Sequence, residues 1–229
     1  MNNLSLRILF QNDACIVINK LKGEAVEGAK DSIINLPQEL KNILNYDAEA
    51  VNRLDVPVTG CALFALEKSS LAFLNSVFKG ENSCSVEKRY WAIIEKPKHD
   101  VPESGELAHW IETNSRQNKS FAFDEEGAGR KRASLRYKIT GEGTNYLFME
   151  IKLFSGRHHQ IRAQLAAAGL HIKGDLKYGA KRSEKGGGIR LHARYLSFPN
   201  PLNKKEKINV TAEPPEMDNL WESFIKYYF

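Results

Sequence analysis

Cysteine is scarce in this sequence, and long apolar runs are missing. The 229 residues include only Cys15, Cys61 and Cys84, which lie far apart and form no CxxC pair. This spacing argues against a structural zinc site and against a disulfide scaffold. No apolar run approaches the length of a membrane span, and the first residues lack the basic and apolar stretches of a secretory signal. We therefore expect a cytoplasmic protein without a membrane segment.

Positive charge is in slight excess but is unevenly distributed. The sequence has 33 Lys and Arg against 28 Asp and Glu, and basic residues cluster in the ranges 130–136, 173–190 and 204–207. Such clusters favour a polyanion such as RNA as partner, although basic surface loops also occur in proteins that bind none. The length and the 42% apolar content suit one main domain, which we expect to span residues 1–229.

Apolar and alternating segments predict both strands and helices. Predicted strands are 7–10 and 15–19, which would form an opening hairpin, then 90–95, 133–139, 147–153 and 191–195. Predicted helices are 32–44, the segment from Lys68 to Gly80, the segment from Ser155 to Gly169, and 217–229. Because short turns join adjacent strands, the pattern predicts an α+β domain on a mixed, mainly antiparallel sheet. A doubly wound nucleotide-binding fold fits poorly.

Two segments lack hydrophobic periodicity, and a third contains turn residues. The ranges 112–130 and 183–188 are predicted to be loops, which could either contact substrate or be tolerated insertions. Gly141-Glu142-Gly143 predicts a hairpin turn and is not a dinucleotide-binding fingerprint, because no third glycine follows at the required spacing.

The segment NRLDVPVTG, residues 52–60, contains the first candidate for chemistry. Arg53 and Asp55 precede the β-prone run 61–66, so the carboxylate is predicted on a loop at the edge of a strand. A carboxylate near a fixed guanidinium stays ionised and can act as a nucleophile. A purely structural aspartate–arginine pair has the same spacing, and spacing alone does not separate the two interpretations.

The segment GRHHQIR, residues 156–162, is predicted to open a helix. Helical spacing would place His158 and Arg162 on one face and aim an arginine from a rigid element. Neighbouring histidines project about 100° apart on a helix, and no Glu-x-x-His partner accompanies them, which argues against a metal site. Tyr90, in the predicted strand 90–95, is by itself more typical of a core aromatic than of a site residue.

Four segments, in this order, resemble motifs of the RluA-like family of RNA pseudouridine synthases. NRLDVPVTG resembles HRLDxxTSG, and VEKRYWAIIE resembles VxKxYxAxV. GRHHQIRAQLAAAGLHIKGDLKYG resembles GRTHQIRxHxxxxGxPIxGDxxYG, and IRLHARYLSF resembles LHAxxLxF. The opening ILFQNDACIVINKLKG is similar to the first hairpin of the family, so the resemblance extends over nearly the whole chain.

The resemblance implies a large mixed sheet flanked by helices, with a cleft that binds RNA. It implies isomerisation of uridine to pseudouridine in structured ribosomal or transfer RNA, with no metal and no organic cofactor. Many relatives carry an S4-type RNA-binding domain before the catalytic domain. Here the hairpin begins near residue 7, so we expect a stand-alone catalytic domain. The sequence leaves the oligomeric state open, and a monomer is the default expectation.

The matched positions also imply roles for individual residues. Asp55 would be the nucleophile that helps to detach uracil from ribose, and whether it attacks the sugar or the base stays open. Arg162 would pair with Asp55, and Tyr90 would pack against the uracil ring. Arg53 would occupy the space that a flipped uridine leaves. The other implied substrate-binding residues are Leu54, His159, Gln160 and Leu191.

This sequence departs from the family motifs near the implied nucleophile. The differing positions are Leu21-Lys22, Asn52, Val58-Thr59 and His158. These departures leave open a noncatalytic RNA-binding protein of the same fold. A carboxylate-dependent hydrolase of a nucleoside or glycoside is a second alternative, but it needs another carboxylate about 5–10 Å away, and no motif supplies one.

Overall fold

The computed structural model describes residues 4–28, 33–81 and 83–228. Its strands are β1 (Ile8–Gln11), β2 (Cys15–Lys20), β3 (Glu24–Ala25), β4 (Ile34–Asn35), β5 (Glu49–Ala50), β6 (Thr59–Ala65), β7 (Glu87–Glu95), β8 (Ser104–Asn114), β9 (Lys119–Phe123), β10 (Lys131–Glu142), β11 (Tyr146–Leu153), β12 (Leu191–Pro199) and β13 (Lys207–Thr211). Its α-helices are α1 (Leu36–Leu44), α2 (Lys68–Lys79), α3 (Gln160–Ala167) and α4 (Asn219–Tyr228). The chain divides into two compact units, Met1–Lys88 with Ala193–Pro215, and Arg89–His192 with Glu216–Phe229.

The first unit contains a sheet in the order β1-β2-β6-β12-β13, with β5 paired to β6. The pairs β1–β2, β2–β6, β5–β6 and β12–β13 are antiparallel. The hairpin of β1 and β2 is tightened by Asn12, whose side-chain oxygen accepts hydrogen bonds from the backbone of Ala14 and Cys15 at 3.0 and 2.9 Å. One side of this sheet packs on α2, where Leu74 is fully buried. α2 ends at Gly80, whose φ of 75° is the left-handed conformation that glycine adopts without strain.

The second unit contains an antiparallel sheet in the order β7-β11-β10-β8-β9. Helix α3 packs on one face, where Ala163 contacts Ile111 and Ala133. Helix α4 packs on the other face through a cluster around Trp91 and Phe224, whose ring centroids are 4.6 Å apart. The expected mixed, mainly antiparallel α+β fold is therefore confirmed.

Several predicted boundaries were wrong. The first helix begins at Leu36 and not at residue 32, which lies outside the described residues, because Ile34–Asn35 pairs with β3 as a short parallel strand. Strand β10 continues to Glu142, and Gly141 belongs to it. A Cβ on Gly141 would lie 2.4 Å from the Cβ of Tyr227, so this glycine allows α4 to approach the sheet. The last helix spans 219–228, and residue 229 lies outside the described residues.

The prediction of a loop over residues 112–130 was also wrong. β8 runs to Asn114, and β9 occupies Lys119–Phe123. The inward residues of β9 are Ser120 and Ala122, which are small, so they give almost no apolar alternation in the sequence. Their neighbours in the tertiary structure determine the strand, because Ser120 bonds to Tyr178 and Ala122 packs beside Ala163.

Candidate active site

Asp55 lies on the irregular segment between β5 and β6, as expected from its motif. The residue is half-buried, and its backbone oxygen accepts a hydrogen bond from the backbone nitrogen of Val58 at 2.9 Å. The backbone nitrogen of Gly23 donates to the oxygen of Val56 at 2.9 Å. The carboxylate is thus carried by a tight turn that is joined to the loop after β2.

Lys20 holds the same turn from the interior of the first unit. Its side chain is fully buried, and its ammonium donates to the backbone oxygens of Leu21, Val56 and Val58 at 2.9, 3.1 and 2.6 Å. An ammonium has three N–H donors, so these three acceptors use all of them. Burial lowers the pKa of Lys20 to about 7, although the carboxylates of Glu24 and Asp55 oppose that shift. A buried cation therefore orders the backbone on the carboxyl side of Asp55.

Asn52 holds the other side of the turn. Its side-chain nitrogen donates to the oxygen of Cys61 at 3.0 Å, and its side-chain oxygen accepts from the nitrogen of Leu63 at 2.7 Å. A carboxamide provides a donor and an acceptor at one end, which is what two backbone groups of β6 require here. The residue that departs from the family histidine thus fixes the turn to the sheet without a titrating group.

Arg53 and Leu54 differ in exposure although they are neighbours. The side chain of Arg53 is 65% exposed, and its Nε lies 3.6 Å from a carboxylate oxygen of Glu27. Leu54 is buried. The fully buried cation that contacts this turn is Lys20, whereas the charge of Arg53 is largely exposed to solvent.

Arg162 lies on α3 and is held by Asp175. Its Nε and Nη2 donate to the two carboxylate oxygens of Asp175 at 2.6 and 2.8 Å, and the two side chains are 5% and 2% exposed. The guanidinium carbon also lies 4.8 Å from the ring centroid of Tyr178. A bidentate pair of this kind fixes the plane of the guanidinium. The expected pairing of Arg162 with Asp55 stays a prediction.

Tyr178 links α3 to strand β9. Its hydroxyl accepts from the nitrogen of Ser120 at 2.8 Å, donates to the oxygen of Ser120 at 3.1 Å, and lies 2.9 Å from Nδ1 of His159. Because the single hydroxyl proton is used on Ser120, Nδ1 of His159 is the donor to this hydroxyl. The ring of buried His159 is thus held in one orientation at the N-terminus of α3.

His158 does not belong to α3, contrary to the sequence prediction. The helix begins at Gln160, and the N-cap residue His159 has a φ of 51°, which breaks the helical spacing. The ring of His158 stacks on that of His159 at 3.8 Å, and its Nδ1 lies 2.9 Å from the hydroxyl oxygen of Ser120. The pair of histidines therefore anchors β9 and does not project along the helix beside Arg162.

The other predicted site residues are buried in the second unit. Tyr90 is on β7 opposite Ile151, and Leu191 begins β12. Gln160 accepts from the hydroxyl of Ser155 at 2.9 Å and donates to the oxygen of Ser134 at 3.1 Å, so its side chain ties α3 to the sheet. The roles of these three residues toward a substrate stay predictions.

Sequence reasoning missed four side chains that hold predicted site residues in place: Lys20 and Asn52 in the first unit, and Asp175 and Tyr178 in the second. Lys20 and the Asp175–Tyr178 segment lie within the quoted motifs, so their place in those motifs was the available signal. Lys20 bonds to Val56, which is 36 residues away, and Asp175 pairs with Arg162, which is 13 residues away. No hydrophobic periodicity connects such positions.

Two kinds of feature are absent from the residues that the structure describes. No helix within residues 4–28, 33–81 and 83–228 is long and apolar enough to cross a membrane. The same part of the chain has no group of three or more His, Cys, Asp or Glu residues arranged to hold a metal ion.

Comparison with known proteins places the chain in a family. The family model described as RNA pseudouridylate synthase matches residues 14–167. The tRNA pseudouridine synthase C of Haemophilus ducreyi is 28% identical, over 98% of this chain and 96% of its own. The ribosomal large subunit pseudouridine synthase C of Rickettsia bellii is 30% identical, over 93% of this chain and 69% of its own.

A solved structure supports the fold. Human RNA pseudouridylate synthase domain containing 1 superposes with a TM-score of 0.72 at 23% identity, over 91% of this chain and 83% of its own. Since the family model covers more than half of the chain, the chain belongs to the RNA pseudouridylate synthase family. It is an RNA pseudouridine synthase of the RluA-like type, which is an isomerase acting on RNA.

Proposed function

We propose that this enzyme converts uridine to pseudouridine in structured ribosomal or transfer RNA, with Asp55 as the nucleophile. The RNA class is suggested by the relatives, whose names specify tRNA and the large ribosomal subunit. The observation that carries the choice of Asp55 is the turn around it. Lys20 and Asn52 fix both sides of that turn, so the carboxylate is held on a rigid support as catalysis requires.

The reaction rearranges the nucleotide without adding or removing atoms overall. The bond between N1 of uracil and C1′ of ribose breaks, the base rotates, and a bond between C5 and C1′ forms. C5 loses a proton and N1 gains one. In this proposal the Asp55 carboxylate attacks the nucleotide so that the glycosidic bond can break. A carboxylate bonded to C1′ is displaced as the C5–C1′ bond forms, whereas a carboxylate bonded to the base is eliminated after that bond has formed.

Arg162 and Tyr90 complete the proposed catalytic group. Arg162 would orient and charge-stabilise Asp55 with the donors that Asp175 does not use, since Asp175 occupies Nε and one hydrogen of Nη2. Tyr90, on β7, would pack on the uracil ring. Leu54 and Leu191 would line the base pocket, and His159 and Gln160 would support the substrate side of α3.

The target uridine has to leave its stack to reach such a group. Base flipping costs a few kcal/mol, which contacts in the pocket and a residue inserted into the vacated space can offset. Arg53 suits insertion because its exposed side chain is paired with Glu27 only through a 3.6 Å surface contact. Surface ion pairs contribute little to stability, so Arg53 can leave Glu27 at small cost.

The proposed enzyme acts as one catalytic domain over residues 1–229, in the cytoplasm, where ribosomal and transfer RNA are found. A monomer without a bound metal suffices for the mechanism, because one chain supplies every residue to which a role is given.

The experiment that tests the nucleophile uses RNA labelled with tritium at C5 of uridine. Pseudouridine formation releases that tritium to water. We expect Asp55→Asn to reduce release at least about a thousandfold, which corresponds to ~4 kcal/mol of transition-state stabilisation. Asp47→Asn is the matched control, since its carboxylate is 85% exposed and pairs with Lys41 on the surface.

The substrate is then read by carbodiimide labelling of the product RNA and reverse transcription. Modified positions that are present with the wild-type enzyme and absent with Asp55→Asn identify the target uridines. Tritium release at the wild-type rate by Asp55→Asn would refute the nucleophile. Release of free uracil would instead indicate a hydrolase, and binding without release by the wild-type enzyme would indicate a noncatalytic RNA-binding protein.

A further inference from the structure

The sheet of the second unit has a face opposite to α3 that combines exposed aromatic and basic side chains. On the α3 side, Ile111 and Ala133 pack against Ala163. Successive residues of a strand point to opposite faces, so Trp110 and Arg132, which are paired across β8 and β10, point away from α3. Together with Arg89, Arg136, Lys152 and Phe154, they form what we call the outer face.

Three cations of the outer face lie in one row across three adjacent strands. Arg136 of β10 is paired with Lys152 of β11, which is paired with Arg89 of β7. The three side chains project from the same face of the sheet, so the row concentrates positive charge that suits a polyanion. In the next row, Trp91 is covered by α4, so the outer face begins where α4 ends.

An exposed ring lies beside this row. Phe154 is 47% exposed, and the guanidinium carbon of Arg136 lies 5.7 Å from its ring centroid. Arg132, Arg136 and Lys152 are exposed as well. Aromatic rings that alternate with cations suit single-stranded nucleic acid, because bases stack on the rings while the cations contact the phosphates.

The charge balance favours an anion even when the local carboxylates are counted. With its flanking positions, the outer face has six cations, Arg89, Arg130, Arg132, Arg136, Lys138 and Lys152, against the four carboxylates Glu87, Glu106, Glu112 and Glu150, which leaves a net charge of +2. Glu106 is paired with Arg136 at 3.3 Å, with both side chains about half exposed or more. Such a pair is weak and can be exchanged for a phosphate.

The outer face is connected to the start of α3. Phe154 is followed by Ser155, whose hydroxyl bonds to Gln160, and Nε of Arg157 donates to the oxygen of Arg132 at 3.3 Å. RNA on this face would therefore be held against the segment that leads into the helix of Arg162.

We propose that the outer face binds a single-stranded segment of the substrate RNA, with one base stacked on Phe154 and phosphates at Arg132, Arg136 and Lys152. The inference rests on the proposed function only in that the partner is RNA. An acidic protein segment could pair with the cations but would not require a flat ring among them, so the ring decides for RNA.

The test measures binding of a fluorescein-labelled single-stranded oligoadenylate of about twelve nucleotides, which spans a site of the usual size and contains no uridine for the reaction. Replacing Arg132, Arg136 and Lys152 by Gln should weaken binding at least about tenfold. It should also reduce the slope of log K against log salt by about 2, since each lost phosphate contact contributes about 0.7. The matched control replaces Lys68, Lys79 and Lys98 by Gln, which removes the same charge from exposed positions elsewhere.

Two further variants separate charge, stacking and folding. Arg132→Lys with Arg136→Lys should retain the salt slope, and Phe154→Ala should weaken binding roughly tenfold with an unchanged slope. Equal affinity and equal salt slope in the triple Gln variant and its control would overturn the proposal. The proposal would also fail if the wild type bound duplex RNA as tightly as the oligoadenylate and Phe154→Ala did not weaken binding of the oligoadenylate.

The outcome is independent of the nucleophile experiment. Asp55→Asn should bind the oligoadenylate as the wild type does. If Asp55→Asn kept full tritium release while the triple Gln variant lost binding, the catalytic proposal would fail and the outer-face proposal would stand. If Asp55→Asn lost tritium release while the triple Gln variant bound the oligoadenylate as its control does, only the outer-face proposal would fail.

Discussion

Lys20 should give the protein a pH dependence in which stability and activity move in opposite directions. Burial lowers the pKa of Lys20 from 10.5 to about 7. Between these two values the unfolded chain holds a proton that the folded protein has released, so the free energy of unfolding rises with pH. This pH-dependent contribution of Lys20 to the free energy of unfolding is absent below pH 7. It increases by about 1.4 kcal/mol per pH unit above pH 7 and reaches about 3 kcal/mol at pH 9.

Activity should show the opposite trend. A neutral amine has two N–H donors, and the three carbonyl oxygens of Leu21, Val56 and Val58 then share them. The turn that carries Asp55 loses part of its support as pH rises through about 7. We therefore expect turnover in the tritium-release assay to fall over the range in which stability rises.

The assay is urea unfolding of the wild type and of Lys20→Met between pH 6 and pH 9. Methionine has a similar length but no titrating group, so the difference between the two proteins isolates Lys20 from all other groups. We expect the wild-type advantage to grow by about 3 kcal/mol across this range. A difference that stays constant with pH would refute the buried, proton-releasing lysine, and the account of the turn with it.

Two substitutions test the other supports of the site. Asp175→Asn should lower the free energy of unfolding by about 3–5 kcal/mol, because it leaves the buried guanidinium of Arg162 without its charged partner. Chemical unfolding measures this loss. A loss no larger than that of the surface control Asp124→Asn would contradict the stabilising role of the buried pair. Asn52→Ala should cost about 1–3 kcal/mol and reduce turnover without a change in the pH profile, because it frees the backbone of Cys61 and Leu63. Unchanged melting and turnover in Asn52→Ala would show that the turn does not depend on this side chain.

The predictable part of the fold is the part in which local residues specify local structure. The opening hairpin, α2 with its glycine end, and the alternating strands β10 and β11 follow from periods of 2 or 3.6 residues and from turn residues. The site segments were found for a different reason, since their letters match motifs that recur together in one family. Asp55, Tyr90 and Arg162 were selected in this way, and geometry had no part in it.

Other features depended on residues far apart in the chain. β9 was missed because its inward residues, Ser120 and Ala122, are small, and only Tyr178 and Ala163 on other elements make that side buried. His158 was predicted on the helix, but the left-handed conformation of His159 places the start of the helix after it. In this arrangement His159 bonds to Tyr178 and His158 bonds to Ser120.

Residue patterns and motifs were enough to predict the fold class, the family and the candidate nucleophile Asp55. Only the folded structure shows which side chains hold Asp55 and Arg162 in place. Lys20, Asn52 and Asp175 act through hydrogen bonds and ion pairs to groups that are distant along the chain, and their strength comes from burial. Burial is a property of the packed molecule, so no local pattern of residues could have revealed it.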